Sequence, residues 1–322
     1  MTIQAQKVAL FGANGRVGNA LLHALVNCKE QRFEILAFIS PMSTLRLSVR
    51  SEFVTSVHLD ISSASPEEIG IKLQGVDIVL SALGGNLLDR QRCIQDGAAL
   101  AGVKRFYPSE FGMCQIPIFP GSQPILHPTW LQKLQCLESA IRHPAVRSGK
   151  MTYTVIGCGE LFDAPGEDTL CPWHDSNAED YTLYVVGNPD ALMDYSSVKD
   201  VAEFLVSTIC HPEYSENRIL GFRGDHTSFS EVASSLKRHS GRSVSLKFIS
   251  FEDAENWITN PSLIPKDVHF DSGFPGDFLL LLRYVQGQGI FWRPRGQFQD
   301  HLLQREPLSV DEYFQALFSK NS

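Results

Sequence analysis

The sequence of 322 residues has little of what marks secreted, membrane-embedded or nucleic-acid-binding proteins. Its seven cysteines are scattered without CxxC spacing, and an odd number cannot close into a complete disulfide set, which favours a reducing compartment. No apolar run reaches the roughly 18 residues that a membrane-spanning helix needs, and no charged and apolar leader precedes the first strand-like run. We therefore expect no membrane association and a cytoplasmic location.

An excess of basic residues is also missing. Lysine and arginine number 28 against 36 acidic residues, and the formal net charge is -8. Binding to a phosphate backbone depends on clustered basic side chains, so we expect no nucleic-acid partner. The 43% hydrophobic and 20% charged residues are ordinary for a globular chain and exclude disordered, collagenous and coiled-coil classes. A small-molecule ligand is the expected partner, and a homodimer is left open.

Apolar runs alternate with amphipathic stretches through the first half of the chain. We predict strands over 7–11, 33–39, 54–59, 77–82, 104–107 and 152–157, and helices over 16–27, 66–73, 88–101 and 128–142. This alternation is typical of βαβ units that form a mostly parallel sheet. The prediction is a doubly wound α/β protein with an NAD(P)-binding Rossmann fold, whose ligands bind at the carboxyl ends of the strands.

The second half of the chain has a looser pattern. Helices are predicted over 198–210, 228–240, 251–258 and 309–319, and strands over 181–186 and 244–248. We assign residues 1–160 to the cofactor domain and 161–322 to a smaller mixed α/β substrate-binding region. No long linker separates the two, so we expect them to be interleaved.

The first strand runs directly into a glycine-rich loop and a helix. Gly12, Gly15 and Gly18 have the spacing that allows a tight turn, close approach to a pyrophosphate, and close packing of helix on strand. A helix start also favours bound phosphate. We therefore predict a dinucleotide site that includes Asn14, Arg16 and Val17, against the alternative of a structural turn.

The end of the second strand bears on the choice between NADP and NAD. An acidic residue there would bind the ribose hydroxyl of NAD, but the strand ends at Ile39 and Ser40 with no acid. Arg16 and Arg46 could instead bind a 2′-phosphate, so NADPH is favoured over NAD. The alternative is that Arg46 is a solvated loop charge.

Several segments together carry a resemblance to a known family. They are residues 12–18 (GANGRVG), 73–85 (LQGVDIVLSALGG), Gln91 and 101–112 (AGVKRFYPSEFG). These resemble the isoflavone reductase-like and NmrA-like atypical short-chain dehydrogenases. The resemblance implies a Rossmann domain with NADPH and a reductase of phenolic or polyketide-like compounds. It also includes a branch of non-catalytic cofactor sensors.

Two positions depart from the family pattern. Asn14 stands where the family usually has threonine, and Ser40 where plant reductases often have arginine. The second departure weakens the NADP prediction. The strand ends that should also contact the cofactor are Ser81, Ala82, Leu83, Ser109 and Cys158.

Lys133 is the main catalytic candidate. The Tyr and Lys pair of ordinary short-chain dehydrogenases is replaced here by Thr129 and Lys133, and the resemblance implies a lysine of this helix as proton carrier, preceded by a bulky residue such as Trp130. At 100° per residue Lys133 falls on the apolar face of the predicted helix. The alternative is a lysine that lays its stem along the core and keeps its ammonium in water.

Other residues are predicted around the substrate. His127 is a second catalytic candidate, with a turn or helix cap as the alternative, and Glu110, Phe111, Gly159 and Phe162 are expected to contact substrate. Aromatic residues that would suit a flat ligand, or else pack in the core, are Trp173, His174, Phe270, Phe274, Phe291 and Trp292.

Two further patterns are rejected. Tyr195 and Lys199 have the right spacing for a catalytic pair but come too late in the chain. Cys171, His174 and Asp175 lack a second ligand pair, so no metal site is expected.

Three functions remain open on the sequence alone. The leading hypothesis is an NADPH-dependent reductase of a small phenolic or polyketide-derived substrate in specialised metabolism, with Lys133 as proton donor. The alternatives are an NAD(P)-sensing regulator without catalysis and a redox-neutral isomerase or cyclase with the same pocket.

Overall fold

A computed structural model describes residues 5–47, 51–112, 127–164, 170–175, 177–268, 274–291 and 298–319. Within these ranges the strands are β1 (Gln6–Phe11), β2 (Phe33–Ile39), β3 (Val54–His58), β4 (Ile78–Ser81), β5 (Arg105–Tyr107), β6 (Thr152–Gly157), β7 (Glu160–Leu161), β8 (Asp180–Val186), β9 (Met193–Ser196), β10 (Arg218–Gly221), β11 (Asp225–Thr227) and β12 (Ser243–Ile249). The α-helices are α1 (Arg16–Val26), α2 (Pro66–Lys72), α3 (Gln91–Leu100), α4 (Pro128–Ile141), α5 (Pro144–Arg147), α6 (Val198–Cys210), α7 (Phe229–Ser240), α8 (Phe251–Thr259), α9 (Gly276–Gly287) and α10 (Val310–Ser319).

The main sheet has seven strands in the order β10-β6-β5-β4-β1-β2-β3, and every pairing in it is parallel. The strand order reverses between β1 and β4, which creates a crevice at their carboxyl ends. The predicted doubly wound Rossmann fold is confirmed.

Helices cover both faces of this sheet because its central strands are apolar on both sides. Val8 and Leu10 of β1 face a core shared with α1 and α6, whereas Ala9 and Phe11 face a core shared with α2 and α3. A sheet buried in this way fixes the position of each strand end, and therefore of the loops that follow.

The second half of the chain contributes a helix and a strand to the region of the main sheet. Helix α6 packs beside α1, and β10 extends the main sheet by pairing with β6. A third core lies under the two-stranded β12-β8 sheet together with α7, α9 and α10. The segment after residue 160 thus contributes both to the main sheet and to a smaller region of its own.

One predicted helix needs correction and one helix was not predicted. The predicted helix over 88–101 is a 3-10 helix over Gly85–Arg90 followed by α3. Helix α9 was not predicted, because its Phe278–Leu281 run is buried and gives no amphipathic pattern.

Candidate active site

Each of the three glycines in the loop lies close to neighbouring backbone, as their spacing predicts. Gly12 has a φ of +81°, and a Cβ on it would lie 2.6 Å from the Ala82 carbonyl oxygen. A Cβ on Gly18 would lie 2.0 Å from the Gly12 oxygen, and one on Gly15 would lie 3.1 Å from the same atom. At Gly12 and Gly18 only glycine fits without displacing backbone, whereas Gly15 is a tight position, so the loop lies directly against the end of β4 and the start of α1.

The start of α1 is suited to an anion. Among the described residues no side chain caps this helix, whose N-cap is Gly15. A helix start presents N–H groups and the positive end of the dipole. Arg16 is exposed beside this position, and Val17 packs against the first core.

The loop after β2 is tied to the glycine loop by two asparagines. Asn14 accepts the Arg46 N–H on Oδ1 at 2.8 Å and donates from Nδ2 to the Thr44 carbonyl at 2.9 Å. The Asn19 amide donates to the Arg46 carbonyl. The Asn14 side chain therefore bonds to the backbone of the loop after β2, and its predicted contact with cofactor stays a prediction. Its effect is to hold Arg46, with an exposed side chain, at the crevice.

Ser40 follows β2 at the entrance of the same loop. Its hydroxyl lies 2.5 Å from that of Ser43, and the His58 ring holds the Pro41 carbonyl at 3.1 Å. The segment from 40 to 47 contains no acidic residue.

The ends of β4 and β5 are bonded to each other. Ser109 donates its hydroxyl to the Leu83 carbonyl at 2.6 Å, and its N–H to Gln91 Oε1 at 2.5 Å. Ser81 is buried, and its hydroxyl makes no hydrogen bond to any described residue. A buried polar atom without a partner is costly, which is consistent with a ligand group at this strand end.

A strained turn follows Glu110. Phe111 has a φ of +47°, a conformation rare for a residue with a side chain. Its N–H donates to the Ile156 carbonyl at 3.1 Å, and the Gly112 carbonyl accepts the N–H of Cys158 at 2.9 Å. These bonds attach the turn to β6 and turn the Glu110 carbonyl towards α4.

Lys133 lies against this turn. Its Nζ donates to the Glu110 carbonyl oxygen at 2.6 Å. A Cβ on Gly112 would lie 3.3 Å from that Nζ and 3.4 Å from Glu110 Oε1. The lysine ammonium is half-buried and held at the carboxyl edge of the sheet, so it does not extend freely into water.

The contacts of His127 are those of a structural residue. It is buried, it is the N-cap of α4, and its Nδ1 accepts the Thr129 N–H at 3.2 Å. Its Nε2 lies 3.0 Å from Asp277 Oδ2 at the start of α9. Both ring nitrogens are thus engaged, and these contacts favour the helix-cap alternative over proton exchange with substrate.

Helix α9 connects two walls of the candidate site. At its start, Phe278 packs against the rings of His127 and Trp130. Further along, Arg283 forms a buried ion pair with Glu160 at 3.2 Å. Sequence reasoning missed this helix and therefore missed the connection between α4 and the loop after β6.

The loop after β6 also departs from its predicted role. Gly159 has a φ of +71°, and a Cβ on it would lie 2.2 Å from the Asp194 carbonyl oxygen. Cys158 and Phe162 are both fully buried, and Phe162 packs against Tyr313 in the third core. Phe162 therefore packs in the core, whereas the sequence analysis expected it to contact substrate.

The rejected Tyr and Lys pair is separated in space. Tyr195 is buried in the third core, whereas the Lys199 side chain is 75% exposed and faces Glu203.

Two members of the predicted aromatic set belong to the core. Trp173 and Phe291 are buried and Phe274 is 38% exposed. His174 lies 2.9 Å from the Tyr313 hydroxyl. Phe270 and Trp292 lie outside the described residues.

One carboxyl group near the glycine loop has a shifted pKa. Desolvation by burial raises the pKa of Asp163 to about 6, against the opposing effect of the Val198 N–H that it accepts at 2.7 Å. The charges of Asp200 and Arg16 act in opposite directions on it. Asp163 is thus poised to titrate near neutral pH beside the start of α6.

The fold and site together define a Rossmann-fold protein with a glycine cradle at the point where the strand order reverses. A model of the NmrA-like family matches residues 4–271. The chain belongs to the NmrA-like family, as the sequence motifs indicated.

Curated relatives are similar over much of the chain. Isoeugenol synthase 1 of Clarkia breweri is 26% identical over 226 residues, covering 68% of this chain and 67% of that protein. Isoflavone reductase homolog P3 of Arabidopsis thaliana is 23% identical over 252 residues, covering 76% and 78%. Oxidoreductase aprR of Aspergillus flavus is 33% identical over 108 residues, about a third of each chain.

Solved structures share the fold over nearly the whole length. Isoflavone reductase has a TM-score of 0.69 at 18% identity, covering 97% of this chain and 99% of that one. The leucoanthocyanidin reductase–NADPH complex of Vitis vinifera has a TM-score of 0.70 at 18% identity with the same coverage. AtPrR2 with NADP+ and (+)pinoresinol reaches 0.71 at 16% identity, covering 98% and 99%.

None of the helices within the described ranges combines the length and apolar character needed to span a bilayer. In the same part of the chain, no three His, Cys, Asp or Glu side chains converge as a metal site.

Proposed function

We propose that the protein is an NADP(H)-dependent reductase of a small phenolic or polyketide-derived molecule, acting in specialised metabolism. The observation that carries the proposal is the Lys133 ammonium held on the Glu110 carbonyl at 2.6 Å, at the sheet edge where the glycine loop also lies. A proton donor and a dinucleotide cradle at one edge are what a reductase of this fold needs.

The chain's own residues fit the cofactor. The cradle at Gly12, Gly15 and Gly18 has no room for a Cβ at its first and third glycines and would accept the pyrophosphate. Arg46, held by Asn14, would bind the 2′-phosphate that distinguishes NADP from NAD. The buried Ser81 hydroxyl would gain a partner at the same strand end.

Lys133 would supply the proton. When bound, the nicotinamide provides a hydride to the substrate. An ammonium has three N–H donors, so the bond to Glu110 fixes the orientation of Lys133 and leaves other N–H groups for substrate. Nζ would then deliver a proton to the substrate atom on which negative charge develops.

The relatives support this chemistry, since they include an isoeugenol synthase and an isoflavone reductase homolog. Pinoresinol, the ligand named with AtPrR2, supports a phenolic substrate. His127 and Asp277 would act as positioning residues, because they fix the start of the helix that carries Lys133.

The test is incubation of the protein with NADPH deuterated at the transferable position and a panel of phenolic and polyketide-derived compounds, followed by mass spectrometry. Deuterium in a product supports the reductase. Product without deuterium would favour a redox-neutral isomerase or cyclase, and cofactor binding without turnover across the panel would favour a sensing regulator.

A further inference from the structure

Two cysteines from distant parts of the sequence face each other behind the glycine loop. Cys28 follows the end of α1, and Cys210 is the last residue of α6. Their sulfur atoms lie 3.8 Å apart, across a separation of 182 positions in the chain. Both are free thiols and both are half-buried.

The surroundings of Cys28 stabilise a thiolate. The Cys28 sulfur shares a hydrogen bond with the Cys210 thiol, and the backbone N–H groups of Gln31 and Glu30 donate to it. The pKa of Cys28 is lowered to about 6, mainly by the Cys210 hydrogen bond, against desolvation and the Glu30 charge. The pKa of Cys210 is raised, first by the same hydrogen bond. These shifts favour the thiolate at Cys28 and the thiol at Cys210.

A small reagent can reach the pair. Cys28 lines a cleft of about 580 Å³ between α1, α6 and residues 302–305. Polar and charged side chains, among them His23, Lys199 and Arg305, also line this cleft. A polar hydroperoxide would therefore have access to the Cys28 sulfur from solvent.

We propose that Cys28 and Cys210 are a modification site, a dithiol that hydroperoxides oxidise to an intramolecular disulfide. The Cys28 thiolate attacks one oxygen of the peroxide and the O–O bond breaks. Cys28 becomes a sulfenic acid, and the other oxygen leaves as water or alcohol. Cys210 then attacks the Cys28 sulfur, forming the S–S bond and releasing water. The two sulfurs are oxidised, the peroxide is reduced, and a thiol reductant reverses the change.

The geometry requires little movement. A disulfide bond is about 2.05 Å long, so the sulfurs must approach by roughly 1.8 Å, from their present 3.8 Å. The product would join the ends of α1 and α6, two helices that already pack together. Because α1 begins at the glycine loop, the link would fix the helix that carries the cradle.

Other cysteines provide internal comparisons. Burial raises the pKa of Cys93 and raises that of Cys136 to about 11. Neither has a second sulfur among its hydrogen-bond partners in the described residues. Both should react with peroxide more slowly than Cys28.

The experiment exposes the reduced full-length protein to hydrogen peroxide, blocks remaining thiols, and maps tryptic peptides by mass spectrometry. Residues 17–29 and 200–218 form tryptic peptides with one cysteine each. We expect a linked pair of these peptides that has lost two hydrogens, forms before Cys93 and Cys136 are oxidised, and disappears with dithiothreitol. The oxidised protein should also unfold at a higher temperature, because the link constrains the unfolded chain.

Two variants separate the steps. Cys210→Ser should abolish the linked peptides and leave a Cys28 sulfenic acid that dimedone captures, whereas Cys136→Ser should keep the link. The proposal is overturned if peroxide gives no linked peptides in the wild-type chain, or if Cys93 or Cys136 is oxidised as fast as Cys28. These measurements do not use enzymatic turnover, so their outcome is independent of the proposed reductase.

Discussion

Asn14 holds Arg46 by its backbone: Oδ1 accepts the Arg46 N–H at 2.8 Å, and Nδ2 donates to the Thr44 carbonyl at 2.9 Å. The glycine loop and the loop after β2 are thus one unit. If Arg46 binds the 2′-phosphate as proposed, Asn14 would influence cofactor choice through its bond to the Arg46 backbone.

Replacing Asn14 by alanine should weaken NADPH binding about fivefold while changing NADH binding little. A lost hydrogen bond of this kind costs about 1 kcal/mol, which corresponds to about fivefold in Kd. Fluorescence titration with both nucleotides measures the effect. Asn27→Ala is the matched control, since Asn27 bonds to the His23 carbonyl at the other end of α1. Equal weakening for both nucleotides would contradict the role of Arg46.

Gly18→Ala should lower the unfolding temperature and weaken NADPH binding more than tenfold. The added Cβ would lie 2.0 Å from the Gly12 carbonyl oxygen, so the loop must move, at about 1–3 kcal/mol for overpacking. Gly84→Ala is the comparison, because a Cβ there meets no atom within 4 Å. Thermal unfolding and nucleotide titration measure both variants, and equal behaviour would argue against a tight cradle.

Loss of the buried ion pair between Glu160 and Arg283 should lower the free energy of unfolding far more than loss of an exposed pair. Arg283→Met leaves the buried Glu160 carboxylate without its charged partner, although the Gln286 amide still donates to it, and should lower the free energy of unfolding by about 3–5 kcal/mol. Arg142→Ala breaks a pair with Glu138 whose side chains are 73% and 51% exposed, and should change it by less than about 1 kcal/mol. Urea unfolding distinguishes the two, and similar losses would contradict the account of α9.

Asp163 should make stability fall as the pH rises from about 4 to about 6. Its folded pKa of about 6 lies above the ordinary 3.8, so the folded state holds the proton more tightly and loses stability as the carboxyl ionises. Asp163→Asn removes this ionisation. The variant should gain up to about 3 kcal/mol over the wild-type chain at pH 7, and no difference should remain near pH 4. A gain that does not depend on pH would contradict the assignment.

Local sequence patterns were enough to predict much of the fold. Strands β2 and β6 and helix α6 have the predicted bounds, because each is a strongly apolar or amphipathic run between clear breaks. Strands β9 and β10 have four residues each and depend on partners far along the chain. Helix α9 is buried around Phe278–Leu281, so the amphipathic signal was absent.

The candidate site could likewise be predicted only in part from local sequence patterns. The glycine cradle and Lys133 could be predicted because their spacing is local. The Asn14 bond to Arg46 joins residues 32 positions apart, and the His127 contact with Asp277 joins residues 150 apart. No periodicity reports such contacts, which is why His127 was predicted as catalytic and its cap role was an alternative.

The most direct test of the central claim is the transfer of deuterium from labelled NADPH to product by the wild-type protein and by Lys133→Met. Methionine keeps an unbranched side chain, one atom shorter than that of lysine, but cannot donate a proton, and loss of a general acid lowers kcat by about 10²–10⁴-fold. Lys199→Met is the matched control, because Lys199 is 75% exposed and lies on α6. The account predicts labelled product from the wild-type protein and the Lys199 variant, and a loss of this size for Lys133→Met with NADPH binding retained. Equal labelling by all three proteins would contradict the role of Lys133.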